Sequence, residues 1–509
     1  MMKLILSVQL LFSCVLGQVA EEGLTGRGLV STTNGPVLGF RDHGIHTFKN
    51  IPYGADTANT RFQAPRRPAP WTEPKVCTEY GFIAPQPTGN DINGTVQNSR
   101  SSSIFMEGTG TVNDALYDGV RLAKTRNVVV VTVNHRVNGF GYLYLGGVSS
   151  DYQNANPGQA DLILALEWVR DNIERFGGDK NRITIFGQSG GGAKCATLMA
   201  QPAAKGLFHR VWTMSGAQIT GRTLEHAKET TQTVLAKVSG ADNTTRLSAL
   251  LNMSMEELRV VLSPAGNNYA PVVEGLTLPR DPFFPTANEQ SRDIPMVMGN
   301  TYDETRNLIG GSNETLFNLT WETLPEAIER NVRQYIGNMT GSQIASDYRT
   351  HYPELSPSDV FFAATTAARS WKSMQVQLNI RVAPPHSPTW VYYLRWRTPT
   401  KEGAAHAFDI PLVFNNPSAM KQTAGAPGVG QLADDASLFL ANFATTGDPN
   451  GFRGGKDPRD GGRKRDYWPR YEVSERRSML FDVPVEVVSD DRGWEREYFM
   501  NEIYIQPGT

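Results

Sequence analysis

Cysteine is scarce in this chain, with three in 509 residues, so at most one disulfide can form and a dense disulfide framework is excluded. A charge surplus is missing too, with 49 basic residues against 51 acidic ones. That balance leaves no electrostatic footprint for nucleic acid or for a membrane surface. Long apolar runs are absent after the first twenty residues, and the polar end from Asn501 to Thr509 offers neither a membrane helix nor a tail for a lipid anchor. No internal repeat is present. Length alone allows one large α/β domain or two to three smaller ones.

The N-terminus carries Lys3, an apolar run from Leu4 to Leu16, and small residues at Gly17 and Ala20. This is the order of a secretory leader, and the run is short for a bilayer span. Residues 1–20 therefore read as a signal peptide, residues 21–509 as a single domain, and the protein as secreted. Acceptor sequons at Asn93, Asn243, Asn252, Asn313, Asn318 and Asn338 fit a glycosylated secreted chain. Cys14 falls in the leader. Cys195 reads as a small buried hydrophobe, and Cys77 is left without an evident partner.

Strand signals open the mature chain at Gly35 to Phe40 and Thr47 to Tyr53, before a Pro-rich stretch from Pro65 to Pro74. Residues 82–103 read as loop. The β-branched run from Asn127 to Asn134 has the look of a central strand in a parallel sheet. Leu162, Ala165, Leu166, Val169, Ile173 and Phe176 mark one face of a helix from about Asp161 to Phe176, ended by Gly177-Gly178. Further strands are expected at Arg210 to Met214, Pro295 to Met298 and Trp390 to Trp396. The basic, Gly-rich run Arg453 to Arg465 reads as a solvated surface loop. Strands alternating with helices predict an α/β fold with a mostly parallel sheet covered on both faces.

Gly187-Gln188-Ser189-Gly190-Gly191 follows Ile183-Thr184-Ile185-Phe186 and precedes a small-residue helix. Strand, sharp turn and helix are the context of a nucleophile elbow, where the serine stands at the tip and glycine is needed on either side. A serine hydroxyl needs a histidine to take its proton, and that histidine needs a carboxylate to hold its tautomer. Candidates occur in the chain order serine, acid, histidine. Gly299-Asn300-Thr301-Tyr302-Asp303-Glu304 follows one predicted strand, and Gly403-Ala404-Ala405-His406-Ala407-Phe408-Asp409 follows another. His209, His226 and His351 lack such neighbours and read as structural.

On these residues the chain resembles the type-B carboxylesterase family, which includes cholinesterases, para-nitrobenzyl esterases and the non-catalytic neuroligins. The resemblance extends to Phe48-Lys49-Asn50-Ile51-Pro52-Tyr53, Arg61-Phe62-Gln63-Ala64-Pro65, the stretch from Ala165 to Asp179, and Trp468-Pro469-Arg470-Tyr471. It implies an α/β-hydrolase fold and a serine carboxylesterase needing no metal or organic cofactor. Ser189 would be the nucleophile, Glu304 the acid with Asp303 as its neighbouring alternative, and His406 the general base. Ser215 would support the triad from behind. The expected partner is a small-molecule or lipid-like ester.

The chain departs from the family before Phe105. An oxyanion hole needs two or three backbone N–H groups; Gly190 supplies one, but the family's His-Gly-Gly-Gly-Phe segment is absent, and Ser103 and Ile104 take the places of its glycines. About forty residues of family spacing are missing between Cys77 and Phe105, and with them two strands and the cysteine that would pair with Cys77. Removing an inner strand leaves unpaired backbone groups and a register gap. The expectation is an isoform or reading frame shortened from an active parent. No tryptophan lies between 78 and 104, where a cholinesterase carries its choline-stacking one. The competing functions are a neuroligin-like binding protein, against which stand the retained triad and missing span, and an inactive truncated chain.

Overall fold

The computed structural model describes residues 28–81, 113–263, 269–383, 387–451, 465–489 and 492–500, and the backbone alone of 10–15. Eight strands form the central sheet: β1 (Leu10–Val15), β2 (Val128–Val133), β3 (Ile183–Gln188), β4 (Arg210–Met214), β5 (Met296–Thr301), β6 (Thr389–Leu394), β7 (Arg477–Phe481) and β8 (Glu486–Ser489). Their spatial order is β8-β7-β6-β5-β4-β3-β1-β2. From β3 through β7 every pairing is parallel. The sequence expectation of an α/β fold with a mostly parallel sheet is met.

Period-two alternation sends neighbouring side chains to opposite faces. Phe186, Trp212, Trp390 and Tyr392 enter one core cluster, packed under α3 (Val429–Thr446), while Ile185, Val211, Val391 and Tyr393 enter the other. That second layer holds α1 (Pro157–Asn172) and α2 (Gly190–Leu198), with Leu162, Leu166, Cys195 and Leu198 buried against the strands. Cys195 is the small buried hydrophobe its position predicts. α1 starts earlier than expected because Pro157 fits a first helical turn. Its continuation, Ile173–Phe176, is a 3₁₀ turn stopped by Gly177 at φ +87°. Trp468 is fully buried, and its indole N–H donates to the Val391 carbonyl at 3.1 Å.

Three expectations need correction. The second opening strand ends at Thr47 rather than running to Tyr53, because Asn50 takes φ +60° and Pro52 has no N–H for a ladder. The run from Asn127 to Asn134 is not central. It forms β2, the last strand of the sheet order, and its middle residues are only half-buried. Arg465, placed in a solvated loop, is instead largely enclosed, in an ion pair with Asp435 at 2.5 Å. The loop at 82–103 and the remainder of the basic run, 453–464, lie outside the described residues.

The slot between β2 and β3 is filled from an unexpected source. Backbone of the apolar N-terminal run pairs antiparallel with both neighbours, Leu10 opposite Val133 and Gly187, Cys14 opposite Val129 and Ile183. Among the described strands it is the one reversed strand within an otherwise parallel interior. Alongside β2, a cavity of about 1310 Å³ opens between Val128–Val133 and residues that include Phe48, Tyr53 and Trp168. That exceeds the usual range of roughly 300–1,000 Å³ for a small-molecule site. Cys77 is buried with Val30 and Val37 and is unpaired among the described residues, and burial pushes its thiol up to about 11.

A chain beginning at residue 21 should therefore lose the ladder partner shared by β2 and β3. Size-exclusion chromatography and circular dichroism of 21–509 against 1–509 should show lower solubility and a lower melting temperature for the shorter chain. Equal behaviour would mean that the slot needs no strand from the N-terminus.

Candidate active site

The elbow is built by β3 and α2. Ser189 stands between them at φ +56° and ψ −130°, a conformation that costs on the order of 1–3 kcal/mol and needs its surroundings to hold it. Those surroundings are close-packed backbone: a Cβ on Gly187 would lie 2.5 Å from the carbonyl carbon of Gly191. Gly216 is just as constrained, since its Cβ would meet the Ser189 carbonyl oxygen at 2.4 Å. The sequence motif shows the first glycine; the second comes from the next strand and carries no motif. Ser189 N–H donates to the Met214 carbonyl at 2.7 Å, tying the turn to β4.

Acid and base sit on the loops that follow β5 and β6, and the parallel pairing of those strands continues into the loops. Tyr302 N–H donates to Leu394 O at 3.0 Å, Asp303 N–H to Ala404 O at 2.9 Å, and Asp303 bridges Ala405 in parallel register. One residue further along each loop, the Glu304 carboxylate and His406 Nδ1 meet in a short hydrogen bond. The Asn307 amide fixes the His406 carbonyl at 2.8 Å.

Glu304 is fully buried and heavily solvated by protein donors. Ser215 Oγ donates to it at 2.5 Å, Asn300 Nδ2 at 3.0 Å and Thr301 N–H at 2.8 Å. Burial pushes its carboxyl upward, but His406 and these donors outweigh that and hold it below the usual carboxylate range. Ser215 thus touches the carboxylate on the side away from His406's bond, through Glu304 Oε1. Asn300 does the same work with no sequence signal beyond its position at a strand end. Asp303, the alternative acid, turns away to Arg397 at 3.1 Å, Arg306 at 3.3 Å and the Ala404 N–H at 2.9 Å.

Ser189 and His406 line one pocket of about 330 Å³, with Gly190, Ser215, Val376 and Tyr335 among its walls. Ser189 Oγ is buried and has no hydrogen-bond partner among the described residues. His406 Nε2 instead contacts the Gln188 side-chain nitrogen at 2.9 Å. Gly190 opens α2, where the first N–H groups have no intrahelical acceptor and suit a developing oxyanion. Ser103, Ile104 and Asn93 lie outside the described residues. His209 Nδ1 accepts from Ile183 N–H at 3.2 Å, and His351 stacks on Trp494 at 4.2 Å, both far from this chemistry in role.

A carboxylesterase family model matches residues 27–103 and 101–492. The chain belongs to the carboxylesterase family. It is 29% identical to a para-nitrobenzyl esterase of Bacillus subtilis (strain 168), across 92% of this chain and 98% of that protein. A cocaine esterase of Homo sapiens is 25% identical over 85% of this chain and 86% of its own length. Among solved structures, a Geobacillus stearothermophilus carboxylesterase superposes with a TM-score of 0.77 at 27% identity, covering 93% of this chain and 100% of that one. The fold is that of the α/β-hydrolases, and the family's activity is serine carboxylic ester hydrolysis. The two matched stretches overlap at 101–103. Among the described residues no helix is long and apolar enough to cross a membrane.

Asp409 was not anticipated. It is fully buried, accepts from Tyr392 Oη at 2.6 Å, and its other oxygen has no partner among the described residues. Burial raises its carboxyl from 3.8 to about 6. The folded state thus holds a proton that the unfolded state has released between about pH 4 and 6. Stability from this group falls as pH rises through that window, by about 3 kcal/mol in all. Asp409→Asn should therefore melt higher than wild type at pH 8, with the difference shrinking toward pH 4. Calorimetry showing a pH-independent difference would contradict the buried-proton account.

Proposed function

We propose that the chain derives from a secreted serine carboxylesterase acting through Ser189, Glu304 and His406. Ser189 Oγ attacks the ester carbonyl while His406 Nε2 takes its proton, and Glu304 holds the proton on Nδ1 throughout. Gly190 N–H donates to the tetrahedral oxyanion. His406 then returns the proton to the leaving alcohol, and water repeats the sequence on the acyl-enzyme. The observation that carries this reading is the buried Glu304–His406 pair opening onto the pocket that holds an unpaired Ser189 hydroxyl. The 330 Å³ pocket favours small or slender esters.

Secretion is supported by the leader-like N-terminus and by the sequons. Asn252, Asn313, Asn318 and Asn338 are exposed and Asn243 is partly so. A cleaved leader vacates the slot between β2 and β3, so the complete enzyme needs another strand there. We assign that strand, with the missing oxyanion donors, to a segment absent at the 101–103 junction. The two-stretch family match, the reversed strand and the cavity beside β2 all support that assignment. The binding-protein alternative draws no support from any observation, since the triad side chains are all retained.

A fluorophosphonate probe and para-nitrophenyl acetate test the triad. Ser189→Ala should abolish labelling, and His406→Ala should lower turnover by at least about 10⁴-fold. Labelling that survives Ser189→Ala in folded protein would remove Ser189 from the reaction. Transcript sequencing across codons 97–105 tests the missing segment: a longer parent message is expected, and an uninterrupted read in every transcript would contradict it.

A further inference from the structure

The Gln188 contact bears on how the general base is controlled, and this inference rests on the esterase reading. A neutral imidazole has one N–H and one lone pair. With Nδ1 donating to Glu304, the lone pair is on Nε2, and the Gln188 amide nitrogen lies 2.9 Å from it. Ser189, the adjacent residue, has a buried hydroxyl with no partner among the described residues. One lone pair cannot accept from both groups in good geometry, so the amide holds the place that the serine O–H must take before attack.

We propose that Gln188 is a positioning residue that occupies His406 Nε2 in the resting enzyme and yields it to Ser189 when substrate enters. The contact keeps the ring turned toward the pocket and fixes the tautomer in which Nδ1 bears the proton. A carboxamide suits this role because it can serve both charge states of the ring. Its N–H donates to neutral Nε2, and after rotation its carbonyl accepts from the imidazolium N–H. A carboxylate there could only accept, and would favour the imidazolium. Glu304 and Asp409 are already coupled to His406 by charge, so a carboxylate at 188 would be a third acidic group acting on the ring.

The test uses the full chain and two readouts. Gln188→Met keeps the bulk and removes the amide; fluorophosphonate labelling of Ser189 at neutral pH should quicken about three- to tenfold, the weight of one net hydrogen bond. Gln188→Glu should raise the His406 ring titration by about one pH unit or more, read by NMR on folded protein without turnover. A Met variant labelled no faster than wild type, or a Glu variant whose His406 titration does not move, overturns the assignment. Should the Met variant fail to fold, the titration in the Glu variant decides alone. Folded wild type that takes no label at all sinks the esterase reading instead, and leaves the ring titration to judge Gln188.

Discussion

The buried hydrogen bond between Glu304 and His406 is the constraint on which the rest depends. It is made by residues 102 positions apart, and only the shared register of β5 and β6 brings them together. The ladder runs past both strand ends through Tyr302, Asp303 and Ala405, so the two loops behave as one extended pairing. A carboxylate this deeply buried would be expensive if unpaired. Ser215, Asn300 and the Thr301 N–H supply the donors that let it stay ionised. The strained elbow and its glycines then set Ser189 against the same pocket.

Much of this was legible from residue order. A Gly-x-Ser-x-Gly stretch between a β-branched strand and a small-residue helix has few structural readings, and the chain order serine, acid, histidine narrows them further. The choice of Glu304 over Asp303 is decided by direction: neighbouring residues leave the loop on opposite sides, and Asp303 is taken by two arginines. What the sequence could not reveal depends on contacts between distant segments. Gly216 and Gly299 look ordinary in the chain, yet a Cβ on Gly299 would stand 1.9 Å from the Tyr392 ring. Asp409 and Asn300 likewise become informative only once β6 and the base-bearing loop are folded against them.

The misplacement of β2 has a different origin. A β-branched run says that a strand wants burial on both faces, yet β2 ends the sheet order, with Leu10–Val15 as its ladder partner among the described residues. The sheet answers by recruiting Leu10–Val15, an apolar six-residue segment of suitable length, in the opposite direction. A cavity flanks β2, and Cys77 is unpaired among the described residues.

The most direct test of the account is the proton held between Glu304 and His406. Proton NMR of the folded chain at neutral pH should show one resonance far downfield of the amide envelope, assigned to Nδ1–H of His406 and lost in both Glu304→Ala and His406→Ala. A folded protein without that resonance, or one in which it survives the loss of Glu304, would contradict the arrangement on which the chemistry rests.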